Sequence, residues 1–279
     1  MKKITQDILK KIVKPQSGSH KGQNGKLMII GGSRLFHAAS RWSLLVASRI
    51  VDMVFYSSVP INNQLIREAK KEFVNGIVVP RSDVDQYLSE ADCILIGPGM
   101  ERCRQTEKIT NRLLAKFYDK RWVVDAGALQ MMDPDLINPR MILTPHKGEF
   151  KMLFNQAIDS IKNKKEIKDT HPTVKAVKKA IDDHLATIVL KGPVDLVCSP
   201  KKLTYNTTGN EGMIKGGTGD TLAGLIAALY CTNEAFLSAQ AGVYINGLAG
   251  DDLYKKVGPN FNASDLANQI PVTMKNLLA

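Results

Sequence analysis

Seven short, apolar, β-branched runs recur along the first 190 residues, at intervals that leave room for a helix between most neighbours: residues 27–30, 53–56, 77–79, 93–96, 122–124, 141–143 and 187–190. A run that is apolar at every position, rather than at alternate ones, describes a strand buried on both faces, as in a parallel sheet covered by crossover helices. Helical periodicity at 38–50, 105–118 and 174–185 supplies such crossovers. The alternation predicts an α/β fold with a doubly wound, mostly parallel sheet and helices on both faces. Residues 194–198 and 203–205 read as an antiparallel hairpin at the edge of that sheet. Beyond Gly219 the pattern turns mostly helical, at 220–230, 234–254 and 264–269. No linker, repeat or low-complexity segment divides the chain, so a single domain over 1–279 is expected.

Composition excludes several other classes. Residues 1–14 place Lys2, Lys3, Asp7, Lys10 and Lys11 around Ile4, Ile8, Leu9 and Ile12, the pattern of an amphipathic helix and not of a signal peptide. No stretch resembles a membrane span, and a cytoplasmic location is expected. Cys93, Cys103, Cys198 and Cys231 have no metal-site or disulfide-framework spacing. The formal net charge is +11, and its densest source is 162–179 with seven lysines. No aromatic residue is interleaved there, and Glu166, Asp169 and Pro172 interrupt it, so a solvated surface is expected and not a nucleic-acid patch. A positive field also attracts anionic nucleotides.

In such a sheet, ligands bind outside the carboxyl ends of the strands, so the loops there hold the chemistry. Gly216-Gly217-Thr218-Gly219-Asp220 opens a helical pattern. Glycines admit a ligand close to the backbone, and the amides of a helix start suit a phosphate. Asp220 has two readings, a helix N-cap or a base that takes a proton from a hydroxyl while the amides hold a phosphoryl group. His146, in Leu143-Thr144-Pro145-His146-Lys147-Gly148-Glu149-Phe150, is a capping residue or a ligand contact. Gly97-Pro98-Gly99, Asp125 and Lys191-Gly192-Pro193 each end an apolar run, and each by itself is compatible with an ordinary strand terminus. His20-Lys21-Gly22-Gln23-Asn24-Gly25 precedes a strand bounded by Gly31-Gly32-Ser33, without a full dinucleotide-binding fingerprint.

Taken in order, HKGQNG, IIGGS, IGPGM, VVDAGAL, LTPHKGEF, VLKG, TGNEGM and KGGTGD resemble the NAD(P)H-hydrate dehydratase family, over about residues 18–252. The resemblance implies a ribokinase-like fold and a substrate, NADHX or NADPHX, that carries a hydroxyl at C6 of the nicotinamide ring. It implies that Ala39, Gly99, His146 and Asp220 contact the hydrate, with Asp220 the catalytic base. It implies that Lys191, Gly192, Pro193, Val194, Asp195 and Gly219 hold ADP or ATP as co-substrate, with Mg2+ accompanying the nucleotide. Relatives commonly assemble into homo-oligomers, and the same is expected here. In many bacterial relatives an epimerase domain precedes this one, so a separate epimerase chain is an expected partner.

The chain departs from the commonest family pattern at Gly127, where a second aspartate is usual, and at Glu211, Lys215, Ala38 and Ser40. Lys215, beside the anion-binding amides, either strengthens phosphate binding or crowds it. A small-molecule kinase of the same superfold shares Asp220 and the glycine loop, but such kinases commonly carry asparagine where His146 stands. A nucleotide- or nucleic-acid-binding module would bind without turnover and with a steep salt dependence.

Overall fold

The structure, a computed structural model, describes residues 1–69 and 75–278. In chain order the elements are β1 (Lys2–Lys3), β2 (Lys26–Ile30), α1 (Ala39–Ala47), β3 (Met53–Ser57), α2 (Pro60–Ala69), β4 (Ile77–Val78), α3 (Val84–Glu90), β5 (Cys93–Ile96), α4 (Arg104–Lys116), β6 (Arg121–Val124) and α5 (Ala126–Met131). There follow β7 (Met141–Leu143), α6 (Lys147–Phe154), α7 (Pro172–His184), β8 (Thr187–Leu190), β9 (Asp195–Ser199), β10 (Lys202–Asn206), α8 (Thr218–Tyr230), α9 (Ala235–Val257) and α10 (Ala263–Leu278). The strands form one ten-stranded sheet in the order β1-β10-β9-β8-β7-β6-β5-β2-β3-β4. All neighbours pair in parallel except β9, which is antiparallel to both β8 and β10.

The two-residue period of each strand sorts its side chains between two cores. Met28, Ile30, Ile94, Ile96, Trp122, Val124 and Leu143 face one side, where they meet α3 to α7 through Val84, Leu88, Leu113, Phe150 and Val177. Leu27, Ile29, Cys93, Leu95, Val123 and Ile142 face the other, against α1, α8 and α9 through Leu44, Ile226 and Val243. A third cluster joins α1, α8, α9 and α10 behind that layer. Two buried faces explain why these strands read as continuous apolar runs.

Several expectations need correction. Residues 1–14 do not form an α-helix: Lys2–Lys3 is a strand on the sheet edge, and Gln6–Lys11 is a 3₁₀ turn. Ile4 and Leu9 are each 1% exposed, so the apolar periodicity reflects docking of a short segment. The β9–β10 hairpin is consequently not the edge, because β1 pairs with β10. Helix α10 continues past 269 through Pro271, and Ile270 and Thr273 on either side are buried. An interior proline costs about 3 kcal/mol, which that packing outweighs. The lysines at 162, 165, 168, 175, 178 and 179 are exposed, and Lys178 pairs with Asp169 at 2.9 Å. Among the described residues, no helix is long and apolar enough to cross a membrane.

Trp122 is fully buried, and its Nε1 donates to the Phe117 carbonyl (2.9 Å). Trp122→Ala is expected to cost about 3 to 5 kcal/mol of unfolding free energy, measured by chemical denaturation.

Candidate active site

Three adjacent strands deliver polar groups to one point at their carboxyl ends. Asp125 follows β6, Thr144 follows β7 and Lys191 follows β8. Thr144 Oγ1 and Lys191 Nζ each donate to Asp125 Oδ1 at 2.7 Å. Lys191 Nζ also lies 3.7 Å from Glu149 Oε2. Asp125 and Glu149 are 2% and 4% exposed, so two buried carboxylates share one ammonium. Burial alone would lower the pKa of Lys191, but the charges of Asp125 and Glu149 outweigh it and hold the pKa above its ordinary value.

The backbone around Asp125 is tightly determined. Gly97 adopts φ +122°, and a Cβ there would fall 1.8 Å from the Asp125 carbonyl oxygen. Ala126 sits at φ +46°, a left-handed conformation that costs a residue with a side chain some strain. At Gly127 a Cβ would fall 2.0 Å from the Met100 carbonyl, so this backbone has no room for the family's second aspartate.

Asp220 enters from the other side. Helix α8 begins at Thr218, its N-cap is Gly217 at φ +99°, and Asp220 lies in the first turn. The capping reading is therefore overturned at this residue. A Cβ on Gly217 would strike the Trp42 ring at 2.3 Å, so the aromatic ring requires glycine there. Ser43 on α1 donates to the Asp220 carbonyl (2.8 Å) and fixes the turn from behind. Gly219 is so near Lys191 that a Cβ on it would lie 3.7 Å from Nζ. The first-turn amides of α8, which have no intrahelical acceptor, thus sit beside the ammonium. The half-buried Asp220 carboxyl is pushed up to about 7, chiefly by burial and by the charge of Asp125, with Lys191 opposing and Glu149 adding to the rise. A group with that pKa can carry or accept a proton near neutrality.

His146 is the N-cap of α6, as one of its two readings has it. Its Nδ1 accepts from the Gly148 and Glu149 amides (3.0 and 3.1 Å), and Glu149 Oε2 accepts from the His146 amide (2.8 Å). The proton therefore belongs on Nε2, which lies 3.6 Å from Glu149 Oε1 on a side chain 57% exposed. Capping leaves that ring edge open to a ligand. The Lys191 amide donates to the Pro145 carbonyl (2.8 Å), so His146 and Lys191 run side by side.

Among the remaining residues singled out in the sequence, Ala39 and Gly99 come together: a Cβ on Gly99 would lie 2.9 Å from that of Ala39. Gly192 and Pro193 are exposed, and a Cβ on Gly192 would make only ordinary contact, 3.4 Å from the Val194 carbonyl oxygen. Val194 is different, because its side chain is 5% exposed and belongs to the core, leaving only its backbone for a ligand. Asp195 closes the loop by accepting from the Gly192 amide and from Asn206 Nδ2 (3.1 Å each), and burial raises its carboxyl to about 6. Lys215 is held away from the amides by the Pro259 carbonyl and by the Phe261 ring, 5.3 Å from its Nζ, so it does not crowd them. Residues 20–25 precede β2 and are pinned by Asp52, at the amino ends of the strands. They are therefore remote from this site. Sequence reasoning missed that Asp125, Glu149 and Lys191 form one cluster; the available signal was that Asp125 and Lys191 each end an apolar run.

Comparison with known proteins identifies the family and the fold. The profile of a family described as NAD(P)H-hydrate dehydratase matches residues 27–272. The chain is 40% identical to a bifunctional NAD(P)H-hydrate repair enzyme of Methanocaldococcus jannaschii, over 96% of this chain and 51% of that protein. It thus spans about half the length of that relative. It is 31% identical to an ADP-dependent (S)-NAD(P)H-hydrate dehydratase of Cenarchaeum symbiosum, over 96% of this chain and 95% of that one. Solved structures of the ribokinase-like superfamily share the fold. One, an ADP/ATP-dependent NAD(P)H-hydrate dehydratase from Bacillus subtilis co-crystallised with ATP and Mg2+, superposes with a TM-score of 0.80 at 23% identity, covering 99% and 98% of the two chains.

Lys191→Met removes the only cation in contact with Asp125 and Glu149 among the described residues. It is expected to cost about 3 to 5 kcal/mol, the range for breaking a buried pair. Denaturant unfolding at neutral pH checks the size. With the family profile matching residues 27–272 and a relative 31% identical over nearly the whole of both chains, the chain belongs to the NAD(P)H-hydrate dehydratase family.

Proposed function

We propose that this protein repairs hydrated nicotinamide cofactor by ADP- or ATP-dependent dehydration of (6S)-NADHX or NADPHX. The observation that carries the reading is the Asp220 carboxyl, raised to about 7 and set in the same helical turn as the amides beside Lys191. Hydroxide is a poor leaving group. Transfer of a phosphoryl group to the C6 hydroxyl converts it into phosphate, which the ring nitrogen's lone pair expels to leave an iminium, and loss of the C5 proton to solvent then restores the C5–C6 double bond. The products are NADH or NADPH, phosphate, and AMP or ADP.

Asp220 takes the hydroxyl proton, while the Gly219 and Asp220 amides and Lys191 stabilise charge on the transferred group. Ala39, Gly99 and His146 border the hydrate in this reading, and Lys191 to Asp195 with Gly219 border the nucleotide. The described residues include no cluster of three His, Cys, Asp or Glu side chains suited to a metal. Mg2+ would accompany the nucleotide, bound largely by its phosphates and by water.

The decisive experiment incubates the protein with NADHX plus ADP or ATP and follows the return of reduced-nicotinamide absorbance. No return with either nucleotide would refute the activity. Asp220→Asn should fold and bind nucleotide but lose about 10²- to 10⁴-fold in rate, the usual contribution of a general base. Because the base must be ionised, the wild-type rate should climb with pH through about 7, and Asp220→Asn should lack that limb. A near-normal rate for the folded variant would exclude Asp220 as the base. Gly192→Val should weaken ADP or ATP binding, measured calorimetrically, with little loss of stability, because an added Cβ makes only ordinary contact with the Val194 carbonyl at 3.4 Å while the side chain occupies room where the ligand is expected. Unchanged affinity would remove this loop from the nucleotide site.

A further inference from the structure

Trp42 stands on α1, the crossover helix that leaves the carboxyl end of β2 and so begins on the ligand face of the sheet. The first residue of α1, Ala39, meets Gly99, and Trp42 and Ser43 follow one turn later on the same side of the helix. Helical side chains lean toward the amino end of their helix, which carries the indole of Trp42 toward Ala39. Ser43, beside it, donates to the Asp220 carbonyl at 2.8 Å. Trp42 is thus placed between Ala39 and Asp220, two positions that border the hydrate in the function proposed above.

Two edges of the indole are fixed. Its Nε1 donates to Ser264 Oγ at 2.9 Å, and its Cζ3–Cε3 edge lies against Gly217, 2.3 and 2.5 Å from where a Cβ would stand. The residue nonetheless remains only half-buried. Gly216, one residue before that contact, looks onto open space, because a Cβ there would meet no atom within 4 Å. A rigid aromatic surface that borders both an opening and a glycine loop has room to take a flat ring.

The reaction supplies the reason for an aromatic surface at this place. The nicotinamide ring presents apolar faces before phosphate leaves and carries an iminium charge afterwards. An indole holds the first by stacking and attracts the second electrostatically, more strongly than a phenyl or phenol ring does. An anionic side chain in its place would attract the cation too, but it would also repel the phosphoryl group arriving beside Asp220.

We infer that the Trp42 indole is the stacking surface for the nicotinamide ring of the substrate, a reading that rests on the function proposed above. Its test titrates the wild type, Trp42→Phe and Trp42→Leu with NADH and with ADP-ribose, which keeps the diphosphate but lacks the nicotinamide ring, each in the presence of saturating AMP. Thermal unfolding and KM for ADP are recorded alongside. Trp42→Leu should weaken NADH about 3- to 10-fold, the worth of an aromatic pair, and leave ADP-ribose and KM for ADP unchanged. Trp42→Phe should keep most of the NADH affinity. With the hydrate, kcat/KM of Trp42→Leu should fall by about another 3- to 30-fold beyond the loss seen with NADH, because the iminium meets the same surface. A ring that served only to support the glycine loop would give a different pattern, with NADH and ADP-ribose weakened alike and KM for ADP raised, and that pattern overturns the inference. So does undiminished NADH affinity in a folded Trp42→Leu protein, or no NADH binding by the wild type. Should Trp42→Leu unfold, Trp42→Met takes its place under the same criteria. Because binding is read without turnover, a wild type whose NADH affinity depends on Trp42 but which repairs no hydrate would refute the activity and not the ring contact.

Discussion

The ammonium of Lys191 is the point on which the candidate site closes. It binds Asp125 directly, approaches Glu149 and stands beside the first turn of α8, so elements distant in sequence meet at one charge. Buried ion pairs contribute little net stability, because desolvation offsets their attraction, but one partner alone is strongly destabilising. The cluster therefore acts as a register device: β6, β7 and β8 must end level for Asp125, Thr144 and Lys191 to meet. The cluster also bears on the state of Asp220. Burial does most to raise that carboxyl, and the charge of Asp125, only partly offset by Lys191, adds to the rise, so it holds its proton to near neutral pH.

How much of this was legible depended on whether the signal was local. The strands at 27–30, 93–96, 122–124 and 187–190 were visible because burial on both faces leaves unbroken apolar runs. Helix α8 was visible because a glycine loop leads into an apolar helical pattern. The amino-terminal segment misled because Ile4, Leu9 and Ile12 keep a helical spacing while the chain docks as a strand and a 3₁₀ turn. That the Val194 side chain turns into the core was not legible either, since proximity in sequence to Lys191 does not reveal it. The sharing of Lys191 by two carboxylates depends on strand order, which no local pattern records.

His146 and Glu149 show how one short segment carries two duties. Their reciprocal hydrogen bonds cap α6, and the same Glu149 carboxylate leans on Lys191. A substitution at either residue would therefore disturb helix start and site together. Stability and ligand binding must both be measured before a role is assigned to them.

The reversed strand β9 has a consequence of parity. A chain leaving the top of β8 and descending through β9 alone would be stranded on the amino side of the sheet, with a helix next in sequence and no ligand face to serve. The second leg of the hairpin, β10, climbs back in the direction of β8 and releases the chain at Asn206 on the upper side. From there residues 207–217 carry the glycine loop to its place and α8 descends from it. The even number of legs is thus what puts Asp220 on the same side as Lys191. Losing or gaining a single leg there would invert the polarity of everything downstream, so this hairpin should tolerate changes in the length of its turn but not in its count of strands.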